Sequence, residues 1–312
     1  VVEHTAHKGW QEALAHVPDV AVVWEKPLAP LTSMRVGGPA EAWVSPQTVQ
    51  AAERVWCVLQ EHQVPWCVLG GGTNVVVSDA GLRGAVIDLS RGFGYLEETP
   101  LPEGGALWNV GAGCGTGRVV RRAVDKGLAG AEVLAGVPGS MGGALIMNAG
   151  GHEGEIKSVV KQVQAVVQGQ CMWIQNAQAG FAYRSSAFPE KSMVLGAHLL
   201  LRPGDKPLLA QAVKESQERR RRTQPLTFPN AGSFFKNPPG HAAGRLIELS
   251  GCKGWQEGAA EVSVLHANFI VNKGGALASD IVRLARRVRD HVHAHTGVLL
   301  QFEVKLLGDF HP

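Results

Sequence analysis

The sequence predicts an α+β protein of more than one domain. Three observations carry the expectation. The chain has 312 residues, more than one compact core usually needs. Its first part alternates short apolar runs with patterns of helical period. A second, smaller set of helix and strand patterns follows TQPLTFPNAG, residues 223–232, where two prolines and a glycine force a loop.

In order along the chain, Val49, Ala52, Val55, Trp56 and Leu59 recur at helical spacing and precede the strand-like WCVLG of Trp66 to Gly70. A Gly-rich loop comes next, then strand patterns around Ala85 to Leu89 and Ala106 to Val110. Val119, Val120, Ala123 and Val124 mark a second helix that Gly127 would stop. From Val159 to Leu201 the pattern is mostly strand. A helix rich in Gln, Glu and Arg runs from about Leu208 to Arg222, and the main domain boundary is expected near it. Beyond it lie a short helix around Ala243 to Ser250, the strand-like NFIVN, and a last helix from about Ser279 to His295. Ser279 reads as its N-cap, with Ile281, Leu284, Ala285 and Val288 on its apolar face. The closing LLQFEVKLL alternates, with Leu300, Phe302, Val304 and Leu306 on one face and Gln301, Glu303 and Lys305 on the other.

Composition removes several function classes. With 45% hydrophobic and 18% charged residues the chain is not disordered. The formal net charge is only +3, and the basic run Arg219 to Arg222 falls on a predicted helix, where a solvated face is its ordinary role. No nucleic-acid partner is expected. Cys57, Cys67, Cys114, Cys171 and Cys252 form no C-x-x-C pair, so neither a zinc site nor a dithiol motif is signalled, and a reducing compartment suits them. The leading VVEHTAHKGWQE is polar, and no apolar run reaches the length of a membrane span, so the cytoplasm is the expected location. His291, His293 and His295 invite a metal reading, but a helical path spreads them around the axis, and histidines in a last turn suit the helix dipole. No metal site and no obligate protein partner are expected.

Gly is the outlier, at 39 residues, and it is clustered. GGGTN, Gly70 to Asn74, directly follows a predicted strand. Three glycines let successive N–H groups converge on one anion, with donors from Thr73 and Asn74; an ordinary tight turn is the alternative. The second cluster, GVPGSMGGALIMNAGG, spans Gly136 to Gly151. Pro138 stiffens it, and Gly139, Gly142 and Gly143 remove side chains where a bulky ligand would lie on the backbone; close packing of small residues is the alternative. The dinucleotide fingerprint G-x-G-x-x-G fails, because counting from Gly70 and Gly72 puts Val75 at the third glycine. The hydrolase elbow G-x-S-x-G fails as well, because Pro138 stands where its first glycine belongs.

The motifs MRVGGPA (Met34 to Ala40), LGGGTNVVVSD (Leu69 to Asp79) and AGVPGSMGGALIMNAGG (Ala135 to Gly151) resemble the FAD-binding half of the UDP-N-acetylenolpyruvoylglucosamine reductases. FAYRSSAF (Phe181 to Phe188), PNAGSFFKNP (Pro229 to Pro238), HANFIVN (His266 to Asn272) and LQFEVKLLG (Leu300 to Gly308) follow in that family's order. The resemblance covers about residues 30 to 308. It implies an FAD-binding fold of the vanillyl-alcohol oxidase type with two α+β lobes over residues 1–207. A C-terminal α+β substrate domain over 208–298 and a final strand over 299–312 returning to the FAD-binding region complete the implied architecture. It also implies FAD held by Arg35, Gly37, Gly70, Gly71, Gly72, Thr73 and Asn74, and by Gly136, Val137, Pro138, Gly139, Ser140, Gly142, Gly143, Ala144 and Asn148. The reductant it implies is NADPH, and the substrate is the enolpyruvyl sugar nucleotide. Covalent relatives in the wider superfamily often carry a histidine just after a Gly-Gly pair; here Gly37 and Gly38 are followed by Pro39 and Ala40.

Reduction of an enol ether conjugated to a carboxylate needs a hydride donor, a cation or hydrogen-bond donor at the carboxylate, and a proton source for the carbanion. The family pattern gives Arg184 the carboxylate, Glu303 an assisting place at the same end of the substrate, and Ser233 the proton. Lys236, three positions beyond Ser233, and Asn237 are further substrate candidates. Without the motifs, Arg184 reads as a surface ion-pair residue, Ser233 as a turn residue and Glu303 as a solvated one. An FAD-dependent sugar or alcohol oxidase of the same fold and a non-catalytic nucleotide-sugar binder remain alternatives. Only 49 positions separate Arg184 from Ser233, and neither Tyr95 nor Tyr183 lies between them, which resembles the shorter class that lacks a tyrosine-bearing lid insertion. The Pro39 substitution predicts non-covalent flavin: acid precipitation should release all yellow colour into the supernatant, and flavin retained in the pellet would refute this.

Overall fold

The computed structural model describes residues 6–151 and 153–310; the first five residues of the polar leading stretch lie outside the described residues. Contacts divide the chain into two compact units, each assembled from separated segments. The first holds residues up to Trp24, Ala42–Gly71 and Gly84–Gln217, and the second holds Glu25–Glu41, Gly72–Arg83 and the chain from Glu218 onward.

The first unit contains helices α1 (Ala6–Ala15), α2 (Val49–Glu61), α3 (Thr116–Lys126), α4 (Met141–Ile146) and most of α5 (Lys206–Thr223). Helix α2 starts where Thr48 Oγ1 accepts from the Ala51 N–H at 3.1 Å, a side-chain N-cap. It buries Ala52, Val55 and Leu59 with Trp10 and Leu14 of α1 against a sheet ordered Val20–Pro27, Pro39–Pro46, Leu82–Ile87, Trp66–Val68. A second, antiparallel sheet runs Gln170–Gln175, Val160–Val167, Met193–Pro203, Ala106–Gly111, Leu96–Pro100. Register places Leu199 opposite Trp108 and Ala197 opposite Val110, and these residues share one buried cluster with Val119, Val120 and Ala123 of α3. Each large side chain so buried stabilises the fold by roughly 1.5–3 kcal/mol. Gly127 ends α3 in the left-handed region, as its position predicts.

The second unit packs α6 (Ala243–Leu249) and α7 (Ala278–Thr296) with a small antiparallel sheet of Gln256–Glu257, Ala260–Val262 and Ile270–Asn272. Its core also takes Met34, Val36 and Val76, which share the cluster with Ile247, Ile281 and Val304. The last strand, Lys305–Leu307, pairs in parallel with Val75–Val77, directly after the glycine loop.

Three expectations change in detail. The stretch from Val159 to Leu201 is interrupted between Gln175 and Met193, so FAYRSS is a turn and not a strand; Gly180 and Arg184 both stand at positive φ there. Ser279 does not cap α7. The N-cap position is Leu277, and Asp79 supplies the acceptors, Oδ1 to the Ala278 N–H at 2.7 Å and Oδ2 to the Ser279 N–H at 2.9 Å. A carboxylate at a helix N-terminus also meets the positive end of the dipole. The closing segment keeps its alternation in burial, with Leu300 and Val304 covered, but only Lys305–Leu307 is regular strand, because Phe302 pairs with Phe235 before the chain turns to Val75. Among the described residues, no helix is long and apolar enough to cross a membrane. Asp79→Ala should remove two charge-assisted caps and destabilise the protein by about 1–2 kcal/mol, seen as a lower urea midpoint with unchanged far-ultraviolet dichroism; an unmoved midpoint would show that the caps contribute nothing.

Candidate active site

The two glycine clusters meet in the first unit. A Cβ on Gly71 would stand 2.6 Å from Gly139 Cα, and a Cβ on Gly70 would collide with Ser140 Oγ. Side chains are excluded here because backbone lies on backbone. Gly139 sits at φ 116°, a conformation open to glycine and strained for other residues. The second cluster is held from behind: Thr116 Oγ1 donates to Val137 O at 2.6 Å, the Thr116 N–H to Gly139 O at 3.0 Å, and the Gly142 N–H to Ala112 O at 2.8 Å. Gly70, Gly71, Gly136, Pro138 and Gly143 are exposed, Val137, Ser140 and Gly142 are half-buried, and Ala144 is buried. Among the described residues, nothing accepts a hydrogen bond from the N–H of Gly70 or Gly71. A bare, exposed backbone with unused donors suits a diphosphate.

The loop continues into the second unit. Gly72 O accepts from the Ser33 N–H at 2.9 Å, and Thr73 and Asn74 are half-buried. Asn74 Nδ2 donates to Glu303 O at 3.1 Å, and Asn74 O accepts from the Lys305 N–H at 3.0 Å. The end of the glycine loop is therefore tied to the segment that carries Glu303. Arg35 is exposed and reaches Pro30 O at 2.6 Å, while Gly37 packs on Val77.

Glu303 and Ser233 are brought onto neighbouring segments. Phe235 pairs with Phe302, the Lys236 N–H donates to Gln301 O at 2.8 Å, and the Glu303 N–H donates to Phe234 O at 2.9 Å. Buried Asn268 grips the same stretch. Its O accepts from the Phe234 N–H at 2.7 Å, its Oδ1 from the Phe235 N–H at 2.9 Å, and its Nδ2 donates to Phe235 O at 2.8 Å. Sequence reasoning missed Asn268 as a supporting residue, although it sits in HANFIVN; an asparagine inside an apolar run was the available signal. Its own N–H donates to His266 Nδ1 at 3.2 Å, which requires that nitrogen unprotonated, and burial pushes the His266 pKa down in the same sense. Ser233 and Lys236 are half-buried. Asn237 is exposed, and its Oδ1 accepts from the Ala243 N–H at 2.9 Å, so its oxygen serves the start of α6.

Arg184 lies in the first unit on a two-residue turn closed by Ala182 N–H to Ser185 O at 3.0 Å and Ser185 N–H to Ala182 O at 3.2 Å. It stands at φ 52°, where turns of this shape ordinarily use glycine or asparagine. Such strain, on the order of 1–2 kcal/mol, persists only where the surroundings hold it, and it concentrates at functional positions. Nη2 reaches Gly150 O at 3.4 Å, and the guanidinium stacks over the Tyr183 ring with Cζ 5.3 Å from its centre. Asn148 is fully buried with its amide used inside the protein, which leaves it no surface to offer a cofactor.

Fold and cradle together define an FAD-binding oxidoreductase: residues 40–170 match the family described as FAD binding domain. Residues 224–307 match the family described as UDP-N-acetylenolpyruvoylglucosamine reductase, C-terminal domain. A UDP-N-acetylenolpyruvoylglucosamine reductase of Anaeromyxobacter sp. (strain Fw109-5) is 43% identical over 290 residues, covering 93% of this chain and 90% of the relative. The Myxococcus xanthus protein of the same name is 43% identical, with 91% and 92% covered. The crystal structure of UDP-N-acetylenolpyruvylglucosamine reductase from Thermus caldophilus superposes with a TM-score of 0.78 at 34% identity, covering 93% of this chain and 99% of that one. The chain belongs to the UDP-N-acetylenolpyruvoylglucosamine reductase family. Gly71→Ala should separate the two glycine clusters by forcing Gly139 away. The variant should purify with well under half the wild-type flavin per chain while remaining folded, and full flavin content would show that the contact is dispensable.

Proposed function

We propose that the protein reduces the enolpyruvyl group of UDP-N-acetylenolpyruvoylglucosamine to give UDP-N-acetylmuramate for peptidoglycan synthesis, using NADPH and non-covalent FAD in the cytoplasm. The observation that carries this reading is the gripped ladder in which Phe235 pairs with Phe302 and the Glu303 N–H meets Phe234 O, since it puts Ser233 and Glu303 on adjoining segments. The family relatives, named for this substrate, support it.

FAD would supply the hydride chemistry when bound, with NADPH as its reductant and the enolpyruvyl group as the acceptor. Gly70 and Gly71, whose N–H groups have no acceptor among the described residues, would hold the cofactor diphosphate. Arg184 is assigned the substrate carboxylate, where negative charge grows as the hydride arrives; a fixed cation there stabilises the transition state more than the ground state. Glu303 is assigned to the same end of the substrate, where it orients the groups that meet the carboxylate. Ser233 Oγ is assigned the proton for the neighbouring carbon. A serine hydroxyl is a weak acid, yet it suffices for a strongly basic carbon, and the Lys236 ammonium favours the alkoxide left behind. Water and other donors then return the proton to Ser233.

Ser233→Ala should split the cycle. NADPH should bleach the flavin at the wild-type rate, because that step needs no proton at the substrate carbon. Return of colour on adding the enolpyruvyl sugar nucleotide should slow by roughly a hundredfold or more. Wild-type rates in both steps would remove Ser233 from the role. Rapid oxygen consumption with simple sugars, and none of this reduction, would favour an oxidase instead.

A further inference from the structure

Arg184 does not hold its strained position through its own turn alone. The Ala182 carbonyl that closes the turn accepts two hydrogen bonds, one from the Ser185 N–H at 3.2 Å and one from Asn148 Nδ2 at 3.1 Å. Asn148 is anchored in turn. Its Nδ2 also donates to Glu155 Oε2 at 2.8 Å, its Oδ1 accepts from the Lys157 N–H at 3.2 Å, and Lys157 Nζ lies 2.9 Å from the same Glu155 oxygen. The side chain is 0% exposed and its own φ is 42°. Two residues in left-handed conformations, Asn148 and Arg184, are thus joined by one buried amide. Asparagine fits the first position because it tolerates that conformation and carries both a donor and an acceptor. Aspartate would lose the donor toward two oxygens, and glycine would lose both groups.

We propose that Asn148 is a positioning residue for Arg184, fixing the Ala182 carbonyl so that the Arg184 turn keeps its left-handed form and its guanidinium stays aimed at the substrate carboxylate. The inference rests on the carboxylate-binding role proposed above for Arg184. Loss of the amide frees the Ala182 carbonyl on one side, and the turn relaxes toward backbone conformations that an arginine prefers. A displacement of about an ångström at a group that meets the reacting end of a substrate is enough to slow a reaction by on the order of a hundredfold.

The test uses the flavin-loaded protein with Asn148→Gly, which keeps the positive φ without strain, and Asn148→Asp, which keeps the shape. Both should bind wild-type amounts of FAD, be bleached by NADPH at the wild-type rate and be reoxidised normally by dioxygen, which has no carboxylate. Reoxidation by the enolpyruvyl sugar nucleotide should slow roughly tenfold to a hundredfold, with kcat falling more than KM rises. Hydrogen exchange of the Ser185 amide should quicken in both variants. In an Arg184→Ala background, Asn148→Gly should cost less than about a further twofold, because its partner is already gone. An Asn148 defect that multiplies with a normal Arg184→Ala defect would overturn this inference alone. An Arg184→Ala enzyme that is reoxidised by substrate at the wild-type rate would overturn the role of Arg184 and this inference with it. Loss of FAD in both variants, or failure of both to fold, would make Asn148 a general structural residue and overturn the proposal.

Discussion

Gly71 lies so close to Gly139 that no side chain fits between them. The glycine loop that follows Trp66–Val68 and the glycine loop that precedes α4 form one bare backbone surface only because of that approach. The consequences spread through the first unit. Thr116 must be buried so that its hydroxyl can hold Val137 O, and the strand Ala106–Gly111 must end where Ala112 O can take the Gly142 N–H. The antiparallel sheet therefore serves as a fixed support for a surface made largely of glycine backbone. Rigid placement matters here because an anion gains most from N–H groups that are already oriented when it arrives.

The second unit solves a different problem, which is to hold the half-buried Ser233 and Glu303 still on neighbouring segments. Asn268 satisfies both backbone groups of Phe235 and the N–H of Phe234, and the two buried rings that follow Ser233 leave its stretch little room to slide. Asn74 reaches Glu303 O from the end of the glycine loop, so that loop and the segment carrying Glu303 are joined by a side chain. Side-chain amides recur in these supporting places, at Asn74, Asn148, Asn230 and Asn268. Asn148, Asn230 and Asn268 each bridge backbone groups that belong to no regular ladder, and Asn74 holds the Glu303 carbonyl. An amide offers a donor and an acceptor without charge, which lets it sit buried among carbonyls and N–H groups at little desolvation cost.

Much of this was legible in residue order. Helical period located α2 and α3 closely, since Ala52, Val55 and Leu59, or Val119, Val120 and Ala123, are buried on one face as their spacing requires. The glycine clusters were legible because glycine has few other reasons to occur three in a row. What the order of residues did not reveal was long-range. Asp79 caps α7 from two hundred positions away, and a local rule that looks for a cap just before the helix chooses Ser279 instead. FAYRSS reads as strand from its neighbours, yet Gly180 and the strained Arg184 bend it into a turn. Segments 25–41 and 72–83 fold with the chain beyond Glu218 although nothing in their composition sets them apart from what surrounds them. Asn148 was legible as part of a glycine motif and not as a buried brace, because burial of one amide depends on where Ala182 and Lys157 come to lie.

The most direct measurement is an anaerobic titration of the purified flavoprotein. The flavin is first bleached with one equivalent of NADPH, and the enolpyruvyl sugar nucleotide is then added in portions while the visible flavin absorbance is followed. The expected result is stoichiometric recovery of the oxidised spectrum, with one reduced sugar nucleotide formed for each flavin restored. Flavin that stays bleached in the presence of the sugar nucleotide, and regains colour only when air is admitted, would contradict the reductase reading.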